Sequence, residues 1–223
     1  MEENHHEKII RTWNDNAEAW AKAISSNAIE SRRVATDAAV VNTILRCGGT
    51  HVLDAGCGEG WLARTLSKEG FDVTGFDVSR DLIERARRER VGTFHKCGYD
   101  EFIADPYRCG HTFDVGVCNF SLLGDEVSGV LKAIHAVTRP LGHLVIQTLH
   151  PCSSNDESRY EDGWREETFS GLPGHWSPMP WYFRTIGSWI GELKLAGWKI
   201  DGVEEPLYPN MGKPASLILI GMK

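Results

Sequence analysis

The chain has 223 residues, 41% of them hydrophobic, and a formal net charge of −7. That length and apolar fraction fit one α/β domain with modest additions and a sizeable core. The acidic balance argues against a nucleic-acid partner. No apolar run reaches the roughly 18 residues a membrane span needs, and no basic-then-apolar leader opens the chain, so no membrane association and a cytoplasmic location are expected.

The six cysteines (Cys47, Cys57, Cys97, Cys109, Cys118 and Cys152) lack the Cys-x-x-Cys spacing of a zinc site and read as reduced cytosolic thiols. His5-His6 reads as an exposed tail, so no metal is expected. Residues 1–49 read as two helices. Ile9, Trp13, Ala17, Trp20 and Ile24 recur at steps of three and four, giving the first an apolar stripe. Ser31 is placed to cap the second, which carries Val34, Ala38, Val41 and Leu45 on one side. Gly48-Gly49 ends it.

The stretch Val52-Leu53-Asp54-Ala55-Gly56-Cys57-Gly58-Glu59-Gly60 reads as a buried strand stopping in a glycine loop, and Trp61 starts a helix. Such a strand–loop–helix holds polar ligand groups near the helix N-terminus, although glycine-rich turns also serve as ordinary βα connections. A second strand over 71–76 ends at Asp77. A carboxylate there, about 20 residues on, can accept both hydroxyls of a ribose, or act as a solvated cap. Ser79 is the expected N-cap of a helix over 80–90. Its Arg85, Arg87, Arg88 and Arg90 alternate with Glu84 and Glu89, the pattern of a solvated face.

A third strand is predicted over 93–97, followed by the loop Gly98-Tyr99-Asp100-Glu101. The run Phe113-Asp114-Val115-Gly116-Val117-Cys118-Asn119 reads as a fully buried fourth strand, as parallel sheets require. Asn119-Phe120 then lies at the strand edge where open α/β sheets bind ligands. A helix over 126–136, a turn at 139–142 and a fifth strand over 143–148 follow. Residues 151–187 show no periodicity but are rich in aromatics, with Tyr160, Trp164, Phe169, Trp176, Trp181, Tyr182 and Phe183 among them. Disordered segments are poor in aromatics, which favours a folded cover over the site, or a satellite hydrophobic cluster. A helix over 186–196, a sixth strand over 198–203 and a last strand over 215–222 complete the chain.

The spacing Asp54-x-Gly56-x-Gly58-x-Gly60, with Asp77 and the Phe113-Asp114…Asn119-Phe120 strand end, resembles the class I S-adenosylmethionine-dependent methyltransferases. Residues 189–206 look like the small-molecule branch of that family. The resemblance implies a seven-stranded, mostly parallel, doubly wound sheet with an antiparallel last strand and helices on both faces. It also implies S-adenosylmethionine lying across the C-terminal ends of strands one, two and four. The cofactor residues would be Asp54, Gly56, Cys57, Gly58, Gly60, Asp77, Val78, Gly98, Tyr99, Asn119 and Phe120, with Gly98-Tyr99 under the adenine. There the chain departs from the acid and small residue usual in the family. The segment around Trp13 and Trp20 is similar to the N-terminal aromatic helix of many such enzymes, so a lid bearing Trp20 is expected.

The division implied is a helical cap (1–49), a cofactor core (50–150), a substrate-cover insertion (151–187) and a final helix with two strands (188–223). The expected activity is in-line methyl transfer to a small, partly aromatic or apolar molecule. A non-catalytic S-adenosylmethionine-binding module and a protein or tRNA methyltransferase are the alternatives. His150, at the end of the fifth strand, is the leading candidate for a base or acceptor-orienting group. His175, Tyr182 and Arg184 of the insertion are the others. Catalysis by proximity alone, with His150 holding the strand end, is the competing account.

Overall fold

The computed structural model describes residues 4–110, 112–152 and 160–223. Part of the acidic stretch 156–167 therefore lies outside the described residues. The core is one seven-stranded sheet in the order β3-β2-β1-β4-β5-β9-β8. Its strands are β1 (His51–Ala55), β2 (Asp72–Asp77), β3 (Thr93–Lys96), β4 (Phe113–Asn119), β5 (Thr138–Thr148), β8 (Lys199–Glu204) and β9 (Leu217–Met222). The first five pair in parallel, whereas β9 runs antiparallel to both β5 and β8. The chain starts in the middle of the sheet, walks out to β3, and returns to the other side of β1 as β4. That reversal opens a crevice at the C-terminal ends of β1 and β4.

Both faces of the sheet are covered. On one, α2 (Asp37–Cys47), α3 (Trp61–Lys68) and α4 (Arg80–Arg88) bury Val40, Ile44, Leu62, Leu66 and Ile83 against Val52, Val73, Val115 and Val145. On the other, α5 (Tyr99–Ala104), α6 (Ser128–Val137) and α7 (Ile186–Leu195) pack Phe102, Leu131, Ile134 and Trp189 on Leu53, Phe76, Leu144 and Ile146. Among the described residues, no helix is long and apolar enough to cross a membrane.

Several local expectations change. A π-helical turn, Arg32–Thr36, precedes α2, and Ser31 makes no side-chain cap. The buried face of α2 is Val40, Thr43 and Ile44, while Leu45 stays 37% exposed. The β-branched pair Val40 and Ile44 therefore faces the sheet in place of the stripe through Val41 and Leu45. Ser79 is the N-cap residue of α4, but its hydroxyl forms no cap bond. The Asp77 carboxylate takes the Ser79 N–H instead, at 2.8 Å. Gly98 is not followed by a loop: it is the N-cap of α5, with Glu101 accepting the Gly98 N–H at 2.8 Å. The expected turn at 139–142 lies within β5, which begins at Thr138 and absorbs the irregularity through a left-handed Leu141.

The aperiodic insertion holds a two-stranded antiparallel hairpin, β6 (Gly163–Glu167) and β7 (Met179–Phe183). Aromatic side chains on short strands hide the alternation that would have announced it. The hairpin region packs on α1 (His5–Ser25), where Ile9 is buried with Phe169 and Met179. His5 stacks on Trp164 at 4.1 Å.

Candidate functional site

The site is built where β1 ends. Asp54 is buried there, and burial, then the charges of Asp77 and Glu59, push its carboxyl up to about 7. The chain turns at Gly56, whose φ is +79°, and a Cβ at that position would stand 2.4 Å from the Ser121 Cβ. Only glycine allows this conformation and this approach. The N–H groups of Gly56 and Cys57 both donate to the Phe76 carbonyl, at 2.8 and 3.0 Å, which ties the loop to β2. Gly60, also left-handed, is the N-cap of α3 and sits against Ala86 and Phe94.

Asp77 closes the loop from the other side. Its Oδ2 accepts the Gly58 N–H at 3.0 Å and its Oδ1 accepts the Ser79 N–H. Burial still raises its carboxyl above the usual range, against the pull of the backbone N–H groups of Ser79, Gly58 and Val78. Three acids, Asp54, Glu59 and Asp77, thus converge where β1 and β2 end; Arg64 pairs with Glu59. Such a cluster favours a cationic ligand.

The remaining predicted cofactor residues arrive from five segments. A Cβ on Gly58 would come 4.0 Å from the Trp20 indole nitrogen of α1, so Trp20 stands over the glycine loop. Val78 and Gly98 are neighbours, with 3.6 Å from the Val78 Cγ2 to a Cβ built on Gly98. Cys57 turns its side chain into the core beside β2, leaving only its backbone at the loop. Tyr99 reaches inward: its hydroxyl lies 3.2 Å from the Ser121 carbonyl and 3.4 Å from that of Ala55, and its ring meets Phe76 edge-on. Tyr99 therefore braces the end of β1 from below. Ser121, which the sequence did not single out, donates from Oγ to the same Ala55 carbonyl at 2.7 Å.

At the end of β4, Phe120 adopts a left-handed φ of 52° and donates its N–H to the Gln147 carbonyl. A phenylalanine in this region costs roughly 1–2 kcal/mol, and such strain is concentrated at functional edges. Beside it the Asn119 Oδ1 is buried without a hydrogen-bond partner, as are the Ser79 Oγ and the Glu59 Oε1. Buried polar atoms normally find partners. Three orphans on the loops leaving β4, β2 and β1 fit a polar ligand spanning those three strand ends.

The four predicted acceptor-side residues occupy different environments. His150 is buried; its Nδ1 accepts the Cys152 N–H at 3.1 Å, so its Nε2 donates to the Glu205 Oε1 at 2.7 Å. Both ring nitrogens are engaged. His175 is exposed. Tyr182 donates its N–H to the Leu123 carbonyl at 2.8 Å and meets Trp164 edge-on. Arg184 is buried and donates from Nη2 to the Gly124 carbonyl at 2.8 Å. Tyr182 and Arg184 thus dock on the loop leaving β4. Ring contacts continue from Trp20 to Trp13 and Trp176, and from Trp176 to Phe169, at centroid distances of 5.2, 6.4 and 4.7 Å.

A family model described as a methyltransferase domain matches residues 10–201. The chain belongs to that family. The methyltransferase fold accordingly recurs in solved structures. One is the 1,6-didemethyltoxoflavin-N1-methyltransferase of Burkholderia thailandensis, with TM-score 0.68 and 19% identity over 99% of this chain and 91% of that one. Another is the magnesium protoporphyrin IX methyltransferase of Synechocystis, with TM-score 0.67 and 16% identity over 99% of this chain and 100% of that one. The ubiquinone biosynthesis O-methyltransferase of Vibrio parahaemolyticus is 35% identical over 106 residues, 46% of this chain and 45% of that protein. The chain thus matches a little under half the length of that curated relative.

Proposed function

We propose that this methyltransferase binds S-adenosylmethionine across the ends of β1, β2 and β4 and transfers its methyl group to a small molecule. The observation that carries the reading is the junction of Asp77 with Gly58, in which a carboxylate at the end of β2 holds the glycine loop by its backbone. The orphaned polar atoms of Ser79, Glu59 and Asn119 support it, as does the acid cluster suited to a positively charged ligand. Asp77 would accept the ribose hydroxyls, Val78 and Gly98 would flank the adenine, and Gly56, Gly58 and Gly60 would admit the amino-acid end.

The bound sulfonium supplies an activated methyl group and a neutral leaving group. What the chain adds is alignment and the exclusion of water. Holding two reactants in line is worth roughly 7–11 kcal/mol. The cap formed by α1 and the β6–β7 hairpin is suited to that task, with Trp20 over the loop and an aromatic wall behind it. We assign His150 to holding the end of β5, because both its nitrogens are already engaged. A small acceptor also fits the relatives, whose names refer to small molecules such as 1,6-didemethyltoxoflavin and magnesium protoporphyrin IX.

Calorimetric titration tests the reading. S-adenosylmethionine and S-adenosylhomocysteine are expected to bind, and NAD is not. Tight NAD binding with no response to S-adenosylhomocysteine would overturn it. Methyl release onto an acceptor panel separates the enzyme from a non-catalytic binding module.

A further inference from the structure

Resting on the reading above, we propose that Arg184 is an acceptor-binding residue and that the acceptor carries a single carboxylate. Arg184 is only 3% exposed. Its guanidinium lies over the rings of Tyr182 and Trp189, at 4.9 Å from each. Nη2 donates to the Gly124 carbonyl, while Nη1 is buried with no hydrogen-bond partner. Among the described residues no carboxylate lies within ion-pair distance of it. Asp125, Asp162 and Glu192 offset part of its charge from beyond ion-pair distance, but none of them accepts from the guanidinium. The chain supplies stacking surfaces and one carbonyl, and leaves the buried Nη1 without the acceptor that a buried N–H ordinarily finds.

Position and charge narrow the missing partner. Gly124 lies four residues beyond Phe120 in the loop that leaves β4, within about 14 Å of the strand end even if fully extended. A molecule presenting its nucleophile at the strand edge can therefore reach Arg184 with a distal group. Asp125, Asp162 and Glu192 all lie close enough to act on Arg184 electrostatically. They would repel a doubly charged phosphate more strongly than a singly charged carboxylate. A planar carboxylate also matches the guanidinium fork, and the flanking Tyr182 and Trp189 rings favour an aromatic acid.

The probes are benzoate and benzamide, alike in shape and different in charge, titrated into protein saturated with S-adenosylhomocysteine. Wild type is expected to bind benzoate at least tenfold more tightly than benzamide. R184Q should lose that preference, R184K should keep a reduced one, and both should bind S-adenosylhomocysteine within about twofold of wild type. Equal binding of the two probes by wild type overturns the proposal without any variant. A benzoate preference that survives in folded R184Q, checked by thermal melting, also overturns it. Failure of S-adenosylhomocysteine to bind wild type would instead remove the methyltransferase reading.

Discussion

The side chain of Asn16 and the backbone of Ser177 exchange two hydrogen bonds across 161 residues of chain, Nδ2 to carbonyl at 2.9 Å and N–H to Oδ1 at 2.8 Å. Asn16 is 1% exposed, so this pairing is shielded from water. The bond pair joins the N-terminal helix to the insertion next to Trp176, which in turn touches Trp20 above the glycine loop. The N-terminal helix and the insertion are therefore tied to each other. Ile9 with Phe169 and Met179 anchors one end, and the Asn16 clamp holds the middle.

Replacing Asn16 by Leu should strand the Ser177 N–H and carbonyl and cost about 1–3 kcal/mol for each group left unsatisfied. The loss should be local. Hydrogen exchange is expected to accelerate together in residues 5–25 and 163–183 while the sheet keeps its protection. Faster exchange in only one of the two segments would show that they open independently.

The ribose assignment makes a sharper prediction. Asp77→Ala removes the acceptor proposed for the ribose hydroxyls and also frees the Gly58 N–H that Asp77 now receives at 3.0 Å. At about 1.5–3 kcal/mol for each charged hydrogen bond, S-adenosylhomocysteine affinity should fall by at least tenfold. Titration calorimetry of both proteins checks it, and unchanged affinity removes Asp77 from the cofactor site.

Asp54 gives the protein a pH dependence. Its carboxyl is raised from 3.8 to about 7, chiefly by burial. Between those values the native state holds a proton that the unfolded chain has released. Stability is therefore full below about pH 4, falls as pH rises, and levels off above about pH 7. At about 1.4 kcal/mol for each unit, the loss is on the order of 4 kcal/mol, and the raised carboxyl of Asp77 tilts the profile the same way. Asp54→Asn should flatten the decline and melt higher than wild type at pH 8, with the difference shrinking as pH falls and small only at about pH 4 and below. The same change should weaken S-adenosylmethionine binding at pH 8, because it removes an anion from the cationic ligand's surroundings. Parallel melting profiles for the two proteins would show that Asp54 does not carry the proton.

The central strands were legible because burial on both faces shows as an apolar run, as in 113–119. Each glycine loop is likewise fixed by local backbone needs. What the sequence did not show depends on distant partners. Nothing near Asn16 announces Ser177, and nothing near Tyr99 indicates that its hydroxyl reaches carbonyls of Ala55 and Ser121, 44 and 22 residues away. The face of α2 was misread because valine, isoleucine and leucine occur all around it, so only contact with the sheet chooses among them. The hairpin was hidden for a related reason. Its pairing, Trp164 with Tyr182 and Arg165 with Trp181, places aromatics on both faces, so no alternation survives.

His150 is where sequence position and structure pull apart. A histidine at the end of a central strand is well placed to take a proton from an acceptor. In the fold its Nδ1 accepts the Cys152 N–H and its Nε2 faces the Glu205 carboxylate at 2.7 Å. Accepting a proton at Nδ1 would require giving up the backbone bond that fixes the chain after Pro151. His150→Ala should therefore act mainly on stability, costing about 1–3 kcal/mol through the stranded Cys152 N–H and the emptied side-chain site. With a protein that remains folded, kcat should stay within a few-fold of wild type and cofactor affinity should hold. A general base would behave differently: kcat would fall by about 10²-fold or more in both the Ala and the Gln variant. Melting and pH–rate profiles of His150→Ala and His150→Gln, measured on the same preparations, separate the two roles. Gln can still accept the Cys152 N–H but cannot take up a proton, so rescue of stability by Gln with unchanged kcat fits the holding role. Loss of kcat in both variants restores His150 to the chemistry.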